Sequence, residues 1–428
     1  MNRLILLLFC LGLYFNGIQT QNLCSRTLYW DDIDTSEPSL DFQTRFSTTD
    51  NQKIVVGNFF QSRTDDIILI SKNDSKEKGK DRKAIMYGSC SYSFPTIWES
   101  ESYDPTFKYW TADAEKDIYV PGDYDGDGID ELLCINPENG FSHLVKYITQ
   151  NDYCNSSVSI GEEHWNMEWT NSGSGQIGSW ILGNAHLFYS GDFDADSQDE
   201  LLCINPSGSY WHLYDWSFGG WSPLAWAGPT TPFLGSIPTT SITNNLTVGK
   251  FFGSGVVQNA GDVIFTIENS TQSPGNNKVA IQALSGGTFT EVCSSHTNLS
   301  GRSNDAFTVS NNDPFFFFSG NFDEDNDDEL IILDKRFMYR LLTSDLSISG
   351  SSCNFNYNGI VALTGHELPQ RNPKYYEKII QLSGNFRSPD KSSFFFFCRN
   401  KHLPYLSWEQ GVTFYSPSPT DDLDWLIG

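Results

Sequence analysis

The sequence predicts an all-β fold built from six copies of one four-stranded unit, and three observations lead there. A glycine followed by Asn, Asp or Lys and then Phe or Tyr recurs at Gly57, Gly122, Gly191, Gly249, Gly320 and Gly384. Successive glycines stand 65, 69, 58, 71 and 64 residues apart, a period that marks repeated supersecondary units. Between them, short runs rich in Val, Ile, Phe, Tyr and Trp alternate with turns rich in Gly, Asn, Ser and Pro, and no stretch holds a helical period. Four antiparallel strands in such a unit make one propeller blade, and six radial sheets close into a disc. The expected fold is therefore a six-bladed β-propeller of four-stranded antiparallel blades.

The chain opens with Arg3, an apolar run from Leu4 to Phe15 and a polar stretch ending near Thr20, the order of a secretory signal peptide over residues 1–20. The run is too short to span a bilayer, and no second apolar segment of membrane length follows. Residues 21–428 are expected to form a single secreted, extracellular propeller domain. Five Asn-x-Ser/Thr sequons, at Asn73, Asn155, Asn245, Asn269 and Asn298, agree with that route and place glycans on surface segments. A formal net charge of −26 argues against nucleic acid and anionic membranes as partners. The mixed run Lys76 to Lys83 fits a solvated hairpin tip.

Cys24 to Trp30 is similar to Cys90 to Trp98, the outer strand of the Gly57 unit, and too few residues follow Gly384 to make a whole unit. The N-terminal strand is expected to complete the last blade and close the ring. Cys10 leaves with the signal, so an even number of cysteines enters an oxidising compartment. A Cys24–Cys398 disulfide would lock the closure, and Cys134 should face Cys154 within its own blade. Cys90, Cys203, Cys293 and Cys353 have no assigned partners, because sequence does not fix connectivity.

The unit around Gly191 shows the expected strands best. A strand from His186 to Ser190 enters the loop, Leu201 to Asn205 leaves it, Tyr210 to Trp216 returns, and a fourth strand lies near Trp221 to Trp226. The runs Phe315–Phe318 and Phe394–Phe397 suit inner strands packed on both faces.

Three of the glycines precede a nine-residue acidic loop, at Asp123–Glu131, Asp192–Glu200 and Asn321–Glu329, and each loop runs into an apolar strand. Oxygen ligands on alternate residues around a turn former are what a short loop needs to wrap a hard cation. Several carboxylates in one loop would repel strongly without such an ion. Calcium is favoured over magnesium because a flexible all-oxygen cage suits the larger ion.

These residues resemble the FG-GAP (VCBS) repeat family, the blades of integrin α-subunit propellers and of calcium-dependent propeller lectins. The likeness covers nearly all of the chain after the signal, and the D-x-D-x-D-G-x-x-D/E loop is directly legible in three units. Family propellers often have seven blades, whereas six motifs are counted here. The resemblance implies that the loop joins the first two strands of a blade, on the face opposite the usual ligand-binding face. It further implies three Ca2+ sites. The first would use the side chains of Asp123, Asp125, Asp127 and Glu131 with the Ile129 carbonyl. The second would use Asp192, Asp194, Asp196 and Glu200 with the Gln198 carbonyl, Ser197 replacing a turn glycine. The third would use Asn321, Asp323, Asp325 and Glu329 with the Asp327 carbonyl. Asp130, Asp199 and Asp328, one place before the last ligand, are expected to brace the loops. The loops after Gly57, Gly249 and Gly384 lack the ligands and should be held by packing and hydrogen bonds.

No catalytic motif is legible, and no catalytic residues are assigned. His143 and His212 stand at matching places in two repeats and suit a structural position. Most tryptophans, such as Trp30, Trp98, Trp110 and Trp180, fit blade-to-blade packing. Trp165, Trp169, Trp221 and Trp226 are candidates for stacking on a sugar, with core the preferred reading. Three function classes stay open. The leading one is a calcium-stabilised lectin-like or adhesion module for a glycan or extracellular protein. The second is a propeller enzyme, a lyase or hydrolase acting on polysaccharide, and the third is a purely structural secreted protein that assembles with itself. The oligomeric state is open too.

Overall fold

The computed structural model describes residues 52–60, 64–71, 83–88, 96–101, 106–148, 158–227, 246–252, 261–269, 277–297, 315–320, 327–334, 340–349, 351–362, 376–388, 391–400 and 411–415. These residues are almost entirely strand, with a single 3-10 turn at Glu162–His164 and no helix long and apolar enough to cross a membrane. The repeated glycines set the architecture: Gly57, Gly122, Gly191, Gly249 and Gly320 each end the first strand of a sheet, and Gly384 lies within the first strand of a sixth. Two short two-stranded hairpins, Thr106–Phe107 with Trp110–Thr111 and Gln176–Ile177 with Trp180–Ile181, stand beside these six sheets.

Sheet 1 runs Gln52–Gly57, Asp66–Ser71, Lys83–Tyr87 and Thr96–Glu99, with the short strand Ser159–Ile160 added in parallel at its outer edge. Sheet 2 comprises Ile118–Gly122, Glu131–Asn136, Phe141–Tyr147 and Trp165–Thr170. Sheet 3 comprises Leu187–Gly191, Glu200–Asn205, Tyr210–Ser217 and Gly220–Ala227, within a residue or two of the expected bounds. Sheet 4 comprises Leu246–Gly249, Val263–Asn269, Asn277–Ser285 and Thr288–Thr297. Sheet 5 comprises Phe315–Gly320, Glu329–Asp334, Arg340–Ser349 and Ser352–Ala362. Sheet 6 has three strands among the described residues, Tyr376–Ser388, Lys391–Asn400 and Gly411–Tyr415. The segment expected to supply its fourth, Cys24 to Trp30, lies outside the described residues. So do the expected signal peptide and the sequons Asn73, Asn155, Asn245 and Asn298, while Asn269 ends the second strand of sheet 4.

The second strands of sheets 2 and 3 carry the unbroken apolar runs Leu132–Ile135 and Leu201–Ile204 because both of their faces are covered. Leu132 and Cys134 belong to a core shared with Ile68, Met86 and Trp98 of sheet 1. Leu133 and Ile135, pointing the other way, belong to a core shared with Leu201 and Cys203 of sheet 3. Leu202 and Ile204 continue the pattern toward Leu246 and Ile264 of sheet 4. Burying each such aliphatic chain is worth roughly 1.5–3 kcal/mol, so stacked sheets carry most of the stability. First strands touch in chain order through the six sheets, and Gln52–Gly57 also touches Tyr376–Ser388 of sheet 6.

The expected Cys134–Cys154 disulfide needs correction. Cys134 is a free thiol buried between sheets 1 and 2, so it forms no bridge to Cys154, which lies outside the described residues. Its place mid-strand, opposite Tyr119 and His143, turns it into the apolar inter-sheet core. Cys203 is the free equivalent in sheet 3. Among the described residues a bridge forms between Cys293 and Cys353, with Cα atoms 5.1 Å apart, joining the fourth strands of sheets 4 and 5. Cys398 lies on the second strand of sheet 6, and Cys24 is outside the described residues.

Candidate metal centre

The first two acidic loops share most of their hydrogen-bond logic. Gly128 N–H donates to Asp123 Oδ2 at 2.8 Å, and Ser197 N–H donates to Asp192 Oδ2 at 3.2 Å. Ile129 N–H donates to Asp127 Oδ1 at 3.1 Å, and Gln198 N–H to Asp196 Oδ1 at 2.9 Å. Asp127 N–H reaches Asp125 Oδ1 at 3.2 Å. These short side-chain to backbone bonds fold the loop into successive Asx turns, which is why aspartate recurs on alternate residues. At the loop's end Tyr124 N–H donates to Glu131 Oε2 at 3.0 Å and Phe193 N–H to Glu200 Oε2 at 2.8 Å. Both glutamates are only 1% exposed.

Gly126 and Gly128 adopt φ of 73° and 85°, where a left-handed backbone is needed. In the second loop Ala195 and Ser197 hold the same conformation at 67° and 73°, so that turn carries strain the first avoids. The strain at Ser197 is expected from sequence; that at Ala195 is an addition.

Carboxylate oxygens converge in both loops. Those of Asp123, Asp125 and Asp127 lie within 4.8 Å of one another, as do those of Asp192, Asp194 and Glu200. Asp123 Oδ1 is buried without a hydrogen-bond partner, a costly state for a carboxylate that a bound cation would relieve. The donor set is all oxygen and multiply charged, so these residues fit a hard divalent ion. Electrostatics agree. Burial, reinforced by Asp194, pushes Glu200 up to about 9. Burial likewise pushes Glu131 up to about 8, against the pull of the Lys146 ammonium. Asp123 and Asp194 are also raised, by burial first and then by neighbouring loop aspartates. In the third loop, Asn321, Asp323 and Asp325 lie outside the described residues. Asp327 is half-buried and Glu329 opens the second strand of sheet 5 opposite Gly320.

The bracing aspartates reach further than their own loops. Asp199 N–H donates to the Asp123 carbonyl at 2.9 Å, and Asp199 Oδ2 accepts from Asp123 N–H at 3.1 Å. Asp130 grips Asn58 in the same two-bond way, and Asp328 grips Lys250. Asp262, in a unit without metal ligands, grips Asp192. Sheets 2, 3, 4 and 5 thus each clasp the loop of the sheet before it. The clasp explains the repeated glycine. A Cβ on Gly57, Gly122, Gly191 or Gly249 would lie 2.5, 3.0, 2.7 or 2.8 Å from the clasping carboxylate.

Two residues beside the loops escape a reading by motif. Lys146 Nζ lies 2.7 Å from Asp125, 2.9 Å from Asp127 and 2.5 Å from Glu131. Asp215 stands at the matching place in sheet 3 and is held above its usual range by burial and then by Asp196. Both sit twelve residues beyond the cysteine of the second strand, the one signal that could have found them.

Of the four tryptophans considered for ligand stacking, Trp165 and Trp221 are buried and Trp169 packs against the core between sheets 2 and 3. Trp226 is 64% exposed. It pairs with His212, which pairs with Cys203 and through it with Phe188. Trp226 is therefore level with the start of the first strand, at the sheet end away from the acidic loop. The two matching histidines repeat a structural motif: His143 packs on Trp110 and His212 on Trp180, with ring centroids 5.1 and 5.3 Å apart.

No family model and no curated protein matches this sequence. Similar solved structures include a putative 6-phosphogluconolactonase from Bacteroides fragilis NCTC 9343, at 11% identity and a TM-score of 0.29, covering 72% of this chain and 95% of that one. Another is the exotype rhamnogalacturonan lyase YesX, at 12% identity and a TM-score of 0.33, covering 66% of this chain and 53% of the lyase. At these scores neither likeness carries an argument about what this chain does.

Proposed function

We propose that the protein is a secreted, calcium-stabilised six-bladed β-propeller of the FG-GAP type that binds a glycan or an extracellular protein. The observation that carries the reading is the pair of acidic loops on successive sheets, with convergent carboxylates and the unpartnered Asp123 Oδ1. The cyclic order in which the first strands touch supports ring closure. Asp123, Asp125, Asp127 and Glu131 would hold one ion, and Asp192, Asp194, Asp196 and Glu200 a second. The Ile129 and Gln198 carbonyls would be further ligands, and the third loop would provide a third site. Bound calcium supplies positive charge that turns mutually repelling carboxylates into a cross-link within each loop. The clasping aspartates then pass that rigidity to the neighbouring sheet. The outward Trp226 ring, at the opposite end of sheet 3, supports placing the ligand on the face away from the loops, where an aromatic surface stacks on a sugar or packs on a protein. A glycan array and an extracellular-protein panel, probed with wild type and Trp226→Ala, test this. Binding weakened by the substitution is the expected result; no binding to either class would overturn the assignment.

A further inference from the structure

One register position beside the acidic loops carries opposite charges in sheets 2 and 3. Leu132 pairs with Val145 and Leu201 with Tyr214, so the next residues along the third strands, Lys146 and Asp215, are equivalent. Lys146 sends its ammonium among three oxygens of the first loop, those of Asp125, Asp127 and Glu131. Asp215 instead brings another carboxylate toward Asp196, beside Asp192, Asp194 and Glu200. The two loops have the same four side-chain donors, yet their surroundings differ by two charge units.

We propose that this position decides how tightly each loop takes calcium: Lys146 is a built-in occupant of the first loop that competes with the ion, and Asp215 makes the second loop the tight site. The inference rests on the calcium reading above and adds a ranking to it. An ammonium bonded to three carboxylate oxygens occupies the electrostatic minimum a cation would seek. Calcium can reach the same oxygens only after the lysine side chain swings away, since like charges a few ångströms apart repel. Among the described residues no ammonium must leave the second loop, where Asp215 deepens the negative potential. The same argument gives Lys146 a second role. Without the ion it neutralises the first loop, while the second is left uncompensated.

Calorimetric titration of the chelator-stripped full-length protein with calcium chloride reads this directly. Wild type should show a tight class of sites that Asp194→Asn removes, and a weaker class. Lys146→Met should tighten the weaker class by about tenfold or more, and Asp215→Lys should loosen the tight class by a similar factor. Asp215→Lys removes no ion-pair partner, so it keeps the test decisive if Lys146→Met folds poorly. Calcium uptake with both affinities unchanged in these variants would overturn the ranking alone. No uptake by any form of the protein would overturn the calcium reading, and the ranking with it.

Discussion

The loop after Gly191 and the loop after Gly249 do the same mechanical job with different chemistry. Both follow the first strand of a sheet, and both are gripped by an aspartate of the next sheet, Asp262 on Asp192 and Asp328 on Lys250. The Gly191 loop then turns on aspartates that converge on a common point. The Gly249 loop instead buries Phe251 and Phe252. The clasp belongs to the architecture, shared by units with and without ligands, whereas the acidic set is an addition to some units. A repeat can therefore lose its carboxylates and keep its place, because packing replaces what the ion would supply.

The largest effects should come from the shared part. Gly191→Ala drives a Cβ to 2.7 Å from Asp262 Oδ2, and Gly249→Ala to 2.8 Å from Asp328 Oδ2. Each should cost about 1–3 kcal/mol in denaturant unfolding, with or without calcium. A loss seen only in the acidic unit would break the parallel.

The next effect separates the loops. Glu200→Gln keeps the acceptor for Phe193 N–H but removes a charge from the ligand set. It should lower the melting temperature in calcium and leave it equal or higher in chelator, where burial forces the Glu200 carboxyl to take up a proton at a cost in stability. A drop of equal size in both conditions would deny Glu200 a metal role.

The pH dependence follows from the raised carboxyls. Glu200, Glu131 and Asp262 sit at about 9, 8 and 8 in the fold, above their usual range chiefly through burial. Their folded form prefers the proton, so their stabilising contribution is complete below the usual carboxylate range and is lost as pH climbs through 8 to 9. The melting temperature in chelator should thus fall steadily between about pH 5 and pH 9. Calcium, which favours the ionised form, should flatten that slope. A chelated protein that grows more stable toward pH 9 would contradict these shifts.

The smallest effect is a gain. Ser197→Gly relieves a left-handed residue at φ 73° and should add about 0.5–1 kcal/mol, while Gly128→Ser should remove a similar amount. Equal stability in both variants would show that the loops tolerate their turns alike.

Much of this was legible in the sequence because it is local and repeated. Five of the six glycines end first strands and the sixth lies within one, and the apolar runs after the first two acidic loops are second strands covered on both faces. The convergence of acidic side chains in the first two loops was legible for the same reason, since alternate aspartates and Asx turns are one local pattern. What escaped depends on contacts between distant segments. Lys146 and Asp215 reach the loops from the third strand, which only strand register reveals. Asp262 was hidden because its unit lacks the motif that marks Asp130 and Asp199. The cysteines misled because repeat position says little about which face a side chain takes: Cys134 turns into an inter-sheet core, while Cys293 and Cys353 meet across neighbouring outer strands.

Thermal unfolding of the intact protein in calcium and in chelator, repeated on Asp194→Asn, tests the central claim most directly. Wild type should melt several degrees higher with calcium than in chelator, and Asp194→Asn should lose a substantial part of that difference. Identical melting of wild type in calcium and chelator would contradict the account.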